Sequence, residues 1–219
     1  MSSKSKKNLI ITDFDGTIST VDLGSRFIMK FVTSSLEDIE KEFAKGKIGS
    51  RIAYEKIAQR LEGSREEILD YVLTIENLDP FFLEFYSLCK NKNIDVKIVS
   101  DGFDFYIKAI LKKYNLTEIE YYSNIAVFGE NNSFSVEFPE RNDLCGRCGT
   151  CKSWILNSNR LIYDEIIYVG DGYSDFCPSK FADIVFAKNL LFQRCQQKGI
   201  PCIPYKDFSD INAYLAENC

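Results

Sequence analysis

No histidine occurs anywhere in the 219 residues. That absence excludes Ser-His-Asp and Cys-His nucleophile systems, HExxH metalloproteases and histidine-ligated zinc catalysis together. Acid–base chemistry must then come from carboxylates, lysine, tyrosine or thiols. Long hydrophobic runs are missing too: the first, Leu9 to Ile11, is interrupted by Asp13, too early for the core of a signal peptide. No stretch approaches a membrane span, so no membrane partner is expected. With no secretion signal, the eight cysteines read as reduced thiols and the expected compartment is the cytoplasm. Positive charge is in deficit, 27 Lys+Arg against 32 Asp+Glu, for a net charge of -5. A global attraction for nucleic acid is thereby excluded. The only basic cluster, Lys4, Lys6 and Lys7, reads as a solvated tail.

What is present suffices for a core: 45% of residues are hydrophobic and 27% charged. The length allows one large domain, or a core carrying a smaller insert. Apolar runs at Asn8–Thr12, Ile94–Val99, Ile166–Val169 and Asp183–Ala187 predict buried strands, with a short last one at 201–204. From Val21 to Asn77 the apolar spacing is three and four, which predicts amphipathic helices. Leu23, Phe27 and Phe31 share one face, Ala53, Ile57 and Leu61 another, and Ile68, Val72 and Ile75 a third. Ser64 and Glu67 form a capping box, and Gly46 and Gly49 mark a turn. Asp79-Pro80 predicts a further helix start, with Phe81, Phe85 and Leu88 on its apolar face. Helices are also expected at 103–114, from Lys152, and near 173–180, 190–197 and 207–216. Residues 119–128 and 133–138 read as a hairpin.

Strands alternating with helices predict an α/β fold, a Rossmann-like parallel sheet covered on both faces. Ligands in such sheets sit at the carboxyl ends of the strands. Those ends supply Asp13, Asp15 and Thr17 from the first strand, then Ser100, Asp101 and Gly102 from the second. The third supplies Asp171 and Asp175, and Lys152 opens the helix before it. Several acids in one pocket would protonate or repel without a cation. Mg²⁺ with oxygen ligands resolves that, and phosphate would take its open positions.

The order of these pieces resembles the haloacid dehalogenase superfamily of phosphohydrolases over nearly the whole chain. Its signatures stand here as Asp13-Phe-Asp-Gly-Thr17, "VKIVSDG" at Ser100, Lys152, and Gly170-Asp171-Gly-Tyr-Ser-Asp175. From about Tyr122 the sequence looks like the branch that includes 2-hydroxy-3-keto-5-methylthiopentenyl-1-phosphate phosphatases and phosphoethanolamine/phosphocholine phosphatases. The resemblance implies Asp13 as nucleophile, Asp15 as general acid–base and Lys152 as the neutralising cation. It implies Ser100, Thr17, Asp101, Gly102 and Lys152 as substrate-binding groups, and Asp13, Asp15, Asp171 and Asp175 around Mg²⁺. It also implies a core of residues 1–18 and 79–219, with a helical-bundle cap at 19–78. The expected substrate is a small phosphorylated metabolite. A phosphotransferase or mutase shares the same site.

"LCGRCGTCKSW" places Cys145, Cys148 and Cys151 in a C-x₂-C-x₂-C run just before Lys152. With Cys177 as a fourth ligand they would make a structural Zn²⁺ site. A zinc knuckle without catalysis would bind nucleic acid, a role at odds with the acidic balance.

Overall fold

The computed structural model describes residues 7–218, so Lys4, Lys6 and Cys219 lie outside the described residues. Among these, the strands are β1 (Asn8–Thr12), β2 (Asp95–Phe103), β3 (Glu120–Phe128), β4 (Phe134–Glu137), β5 (Glu165–Gly170), β6 (Ile184–Ala187) and β7 (Ile203–Pro204). The helices are α1 (Leu23–Phe31), α2 (Glu37–Ala44), α3 (Ser50–Ala58), α4 (Arg65–Ile75), α5 (Phe82–Asn91), α6 (Asp104–Lys113), α7 (Lys152–Asn159), α8 (Asn189–Lys198) and α9 (Phe208–Asn218). The sheet order is β4-β3-β2-β1-β5-β6-β7. The α/β class and the parallel sheet are as expected. The chain forms two compact units. One holds the residues through Thr20, Asn77–Val99 and everything from Lys152; the other holds Val21–Glu76 and Ser100–Cys151.

In the first unit β1 pairs in parallel with the first part of β2 on one side and with β5 on the other, and β6 and β7 continue the parallel order. Leu9, Ile10 and Ile11 of β1 and Ile166 to Val169 of β5 are fully buried. Strands covered on both faces read as unbroken apolar runs, which is why these were visible in the sequence. Thr12 is in register with Val169 and with Ile98, and the Asp13 amide still donates to the Val169 carbonyl at 2.9 Å. That pairing sets Asp13 beside the turn that follows β5.

Helix α5 starts at Phe82, two residues later than Asp79-Pro80 predicts. Its buried face is accordingly Phe82, Phe85 and Cys89 rather than Phe81, Phe85 and Leu88. Asp79 still accepts from the Phe81 amide at 3.0 Å, and also from the Phe208 amide at 3.3 Å, so one carboxylate ties the starts of α5 and α9. The rings of Phe82 and Phe85 pack on Phe208 at 5.0 and 4.7 Å. The helix expected near 173–180 is two short 3₁₀ turns, Ser174–Phe176 and Pro178–Lys180. Two donors pull the turn tight around Asp175, and Pro178 has no N–H for a continuing helix.

In the second unit α1 packs on α4 and α2 on α3. Phe27 anchors an aromatic cluster, with Phe103, Phe105 and Tyr106 at 5.6 to 6.2 Å in edge-to-face arrangements. The Ser64–Glu67 capping box is formed in both directions. Helix α3 ends at Ala58, and Leu61 is buried beyond it in a bridge with Val32. The hairpin is present as antiparallel β3 and β4. The strand expected to stop at Val99 runs on to Phe103, so Ser100-Asp101-Gly102 is extended rather than a turn. Side-chain bonds hold it: Asn124 donates to the Asp101 carbonyl at 2.6 Å, and the Thr150 amide donates to the Asp101 carboxylate at 3.0 Å. Among the described residues no helix is long and apolar enough to cross a membrane.

Candidate active site

The first unit gathers Asp13, Asp171, Asp175 and Lys152. The Lys152 ammonium, 2% exposed, stands 2.8 Å from Asp13 Oδ2 and 2.6 Å from Asp175 Oδ1. Lys152 is the first residue of α7, an end where a cation opposes the helix dipole. Two buried carboxylates offset both that cost and the cost of removing the ammonium from water. Burial alone would lower the lysine pKa, but Asp13 and Asp175 hold it above its ordinary value.

Two glycines permit the approach. Gly16 has φ +72°, and a Cβ there would lie 2.6 Å from Asp171 Oδ2. A Cβ on Gly170 would lie 2.6 Å from Asp175 Cγ. Any side chain at either place would push a carboxylate out of the cluster.

The three carboxylates reach within 4.8 Å of one another. At such a distance a pair repels by about 3 kcal/mol at an effective dielectric of about 20. One ammonium against three carboxylates leaves two negative charges uncompensated. Burial and then the Asp175 charge push the Asp13 carboxyl well up, against the pull of Lys152. Burial and Asp175 likewise raise Asp171. Asp175 is held below its ordinary value: burial works the other way but is outweighed by Lys152 and by the hydrogen bonds it accepts.

Hydrogen bonding separates the three acids. Asp175 Oδ1 accepts from Lys152 and from the Tyr168 hydroxyl at 2.6 Å each; Oδ2 accepts from the amides of Asp171 at 3.0 Å and Gly172 at 2.8 Å. A carboxylate offers about four lone-pair positions, and these donors fill them. Asp13 accepts the Phe14 amide at 2.7 Å besides Lys152. Asp171 accepts Thr17 Oγ1 at 3.2 Å and Asn189 Nδ2 at 3.3 Å. Each of these two retains open positions. An all-oxygen donor set with excess negative charge fits a hard divalent cation.

Asp15 is half-buried, its backbone bridging to Ser19, and its carboxylate is not a member of the group of three. The chain leaves the extended form after Thr12, so the alternation of a strand does not carry through to Asp15. Thr17, expected on the substrate, has its hydroxyl on Asp171. In the second unit Ser100 is fully buried and accepts the Gly102 amide at 2.9 Å, which commits one expected phosphate donor internally.

Structural zinc at Cys145, Cys148, Cys151 and Cys177 finds no support among the described residues. Among the described residues the only group of three ligating side chains is the aspartate cluster, so Cys145, Cys148 and Cys151 do not converge. Their loop has another anchor: Arg147 donates to the carbonyls of Gly46 at 3.0 Å and Ile48 at 3.2 Å, and its own carbonyl accepts the Arg51 amide. Cys151 is buried with its amide on the Glu140 carbonyl. None of the seven described cysteines is in a disulfide.

Sequence reasoning missed Tyr168 and Asn189. A tyrosine inside a fully buried strand needs a partner for its hydroxyl, and that was the available signal for Tyr168. Asn189 adopts φ 49°, a left-handed conformation with no mark in a single sequence.

A 2-hydroxy-3-keto-5-methylthiopentenyl-1-phosphate phosphatase of Brevibacillus brevis is 29% identical over 216 residues, 97% of both chains. One from Exiguobacterium sibiricum is 29% identical over 212 residues, covering 94% of this chain and 95% of its own. Among solved structures, a phospho-aspartyl intermediate analogue of phosphoserine phosphatase superposes with TM-score 0.72 at 23% identity, over 96% of this chain and 99% of that one. Fold and relatives together define a phosphatase of the haloacid dehalogenase superfamily, a hydrolase of phosphate monoesters. Within that class the chain belongs to the family described as Putative Phosphatase, which matches residues 8–194.

Proposed function

We propose that the protein is a Mg²⁺-dependent phosphatase of a small, soluble phosphomonoester, working through an aspartyl-phosphate on Asp13. The observation that carries this reading is the buried Lys152 ammonium shared by Asp13 and Asp175 beside Asp171. Asp13 and Asp171 would hold Mg²⁺, with the Asp15 backbone carbonyl. When bound, the cation supplies charge neutralisation for the phosphoryl oxygens and polarises them. Asp175 orients Lys152 rather than binding the metal, since its lone pairs are engaged.

In the first step an Asp13 oxygen forms a bond to phosphorus while the ester P–O bond breaks, and Asp15 gives its proton to the departing oxygen. Lys152 neutralises charge on Asp13 and the phosphoryl group. Water then attacks phosphorus, Asp15 takes its proton, and the Asp13–phosphorus bond breaks to release phosphate. The helical insertion at 19–78 is proposed to choose the leaving group and keep out water. The relatives' names favour a compact phosphorylated metabolite over a macromolecule, and we place the enzyme in the cytoplasm.

The test is release of inorganic phosphate from p-nitrophenyl phosphate with Mg²⁺, followed by a panel of phosphorylated metabolites. The panel includes 2-hydroxy-3-keto-5-methylthiopentenyl-1-phosphate and phosphoserine. Phosphate release that needs Mg²⁺ is expected. Transfer of the phosphoryl group to an added alcohol, with no free phosphate, would move the assignment to a phosphotransferase.

A further inference from the structure

We propose that Tyr168 is a positioning residue for phosphoryl transfer, setting through Asp175 where the Lys152 ammonium stands relative to Asp13. The inference rests on the phosphatase reading and goes beyond it, because Tyr168 would touch neither substrate nor metal.

Tyr168 lies in the middle of β5, in register with Ile11 of β1 and Val185 of β6, and is fully buried. A phenol there must find an acceptor. It takes Asp175 Oδ1 at 2.6 Å, the same oxygen that accepts the Lys152 ammonium at 2.6 Å. The other oxygen of Asp175 is pinned by two backbone amides of the turn after β5. The carboxylate therefore cannot rotate to give the two side-chain donors separate oxygens.

Two donors on one oxygen compete. The phenol draws electron density from Oδ1 and weakens its hold on the ammonium, which leaves Lys152 shared with Asp13 at 2.8 Å. Without the hydroxyl, Oδ1 keeps a single charged donor, and the Lys152–Asp175 pair tightens at the expense of the contact to Asp13. The lysine matters most when charge develops on the transferring group. The loss should therefore fall on kcat rather than on substrate binding.

Tyr168→Phe keeps the ring and removes only the donor. The expected result with p-nitrophenyl phosphate and Mg²⁺ is a roughly tenfold fall in kcat, the size of one hydrogen bond to a charged group, with KM changed less than about twofold. In an Asp175→Asn background the same change should cost nothing further, because the lysine is already released. Site-specific 3-fluorotyrosine at 168, a stronger donor of nearly the same size, should raise kcat. It also serves as the second variant should Tyr168→Phe fold poorly. Unchanged kcat in Tyr168→Phe, an equal loss in both backgrounds, or no response to fluorination overturns the inference alone. Wild-type protein without Mg²⁺-dependent activity overturns the phosphatase reading, and the inference with it.

Discussion

Two buried carboxylates on one lysine, with a third, half-buried one beside them, make a poor arrangement for stability and a good one for chemistry. In metal-free protein Asp171 carries a raised pKa because burial and Asp175 both oppose its charge. The folded state then binds more protons than the unfolded state between the ordinary carboxylate pKa and the raised one. Stability from this group is present at low pH and falls as pH rises through the folded pKa. Asp171→Asn should therefore raise the melting temperature in EDTA at neutral pH. The gain over wild type should grow as pH rises from the ordinary carboxylate pKa through the raised one and then level off. The variant should also lose the rise in melting temperature that Mg²⁺ gives the wild type. A variant that melts lower than wild type in EDTA would contradict this account. Lys152→Met has the opposite sign: it strands two buried carboxylates, and a loss of about 3 kcal/mol is expected by denaturant titration.

At the level of elements, strands buried on both faces and capped helices were legible because their signals are local. The Ser64–Glu67 box formed as spelled. Ser64→Ala should cost about 1 kcal/mol while leaving kcat on p-nitrophenyl phosphate unchanged. The Ser64 hydroxyl and then its amide hold the Glu67 carboxyl below its usual value. The contribution of the box is thus intact at neutral pH and lost as pH falls through that lowered pKa, an effect a thermal melt series in acid would follow. What was not legible depended on partners distant in sequence. β2 runs past Val99 because Asn124 and Thr150 hold Asp101 extended. The turn after β5 stays 3₁₀ because Asp175 collects its amides. The thiols of the Cys145–Cys151 loop promised a metal by spacing alone, whereas the loop is fixed by Arg147 on carbonyls about a hundred residues away.

For the whole molecule, the parallel order of β2, β1, β5, β6 and β7 makes one site from residues scattered from 13 to 189. The identities of Asp13, Lys152, Asp171 and Asp175 could be read from their order along the chain. Their division of labour could not, since it depends on which lone pairs are occupied. EDTA should reduce phosphatase activity at least about a hundredfold, and Mg²⁺ should restore it, as expected where a cation stabilises developing charge. Activity unaffected by chelation would exclude a divalent ion from the site.

Asp13 itself is proposed to carry the phosphoryl group during turnover. Acid-quenched enzyme, caught during hydrolysis and analysed by peptide mass spectrometry, should show one phosphoryl group on the peptide containing Asp13, and none in Asp13→Asn. Phosphate released at the wild-type rate by Asp13→Asn, or a phosphoryl group found on another residue, would contradict it.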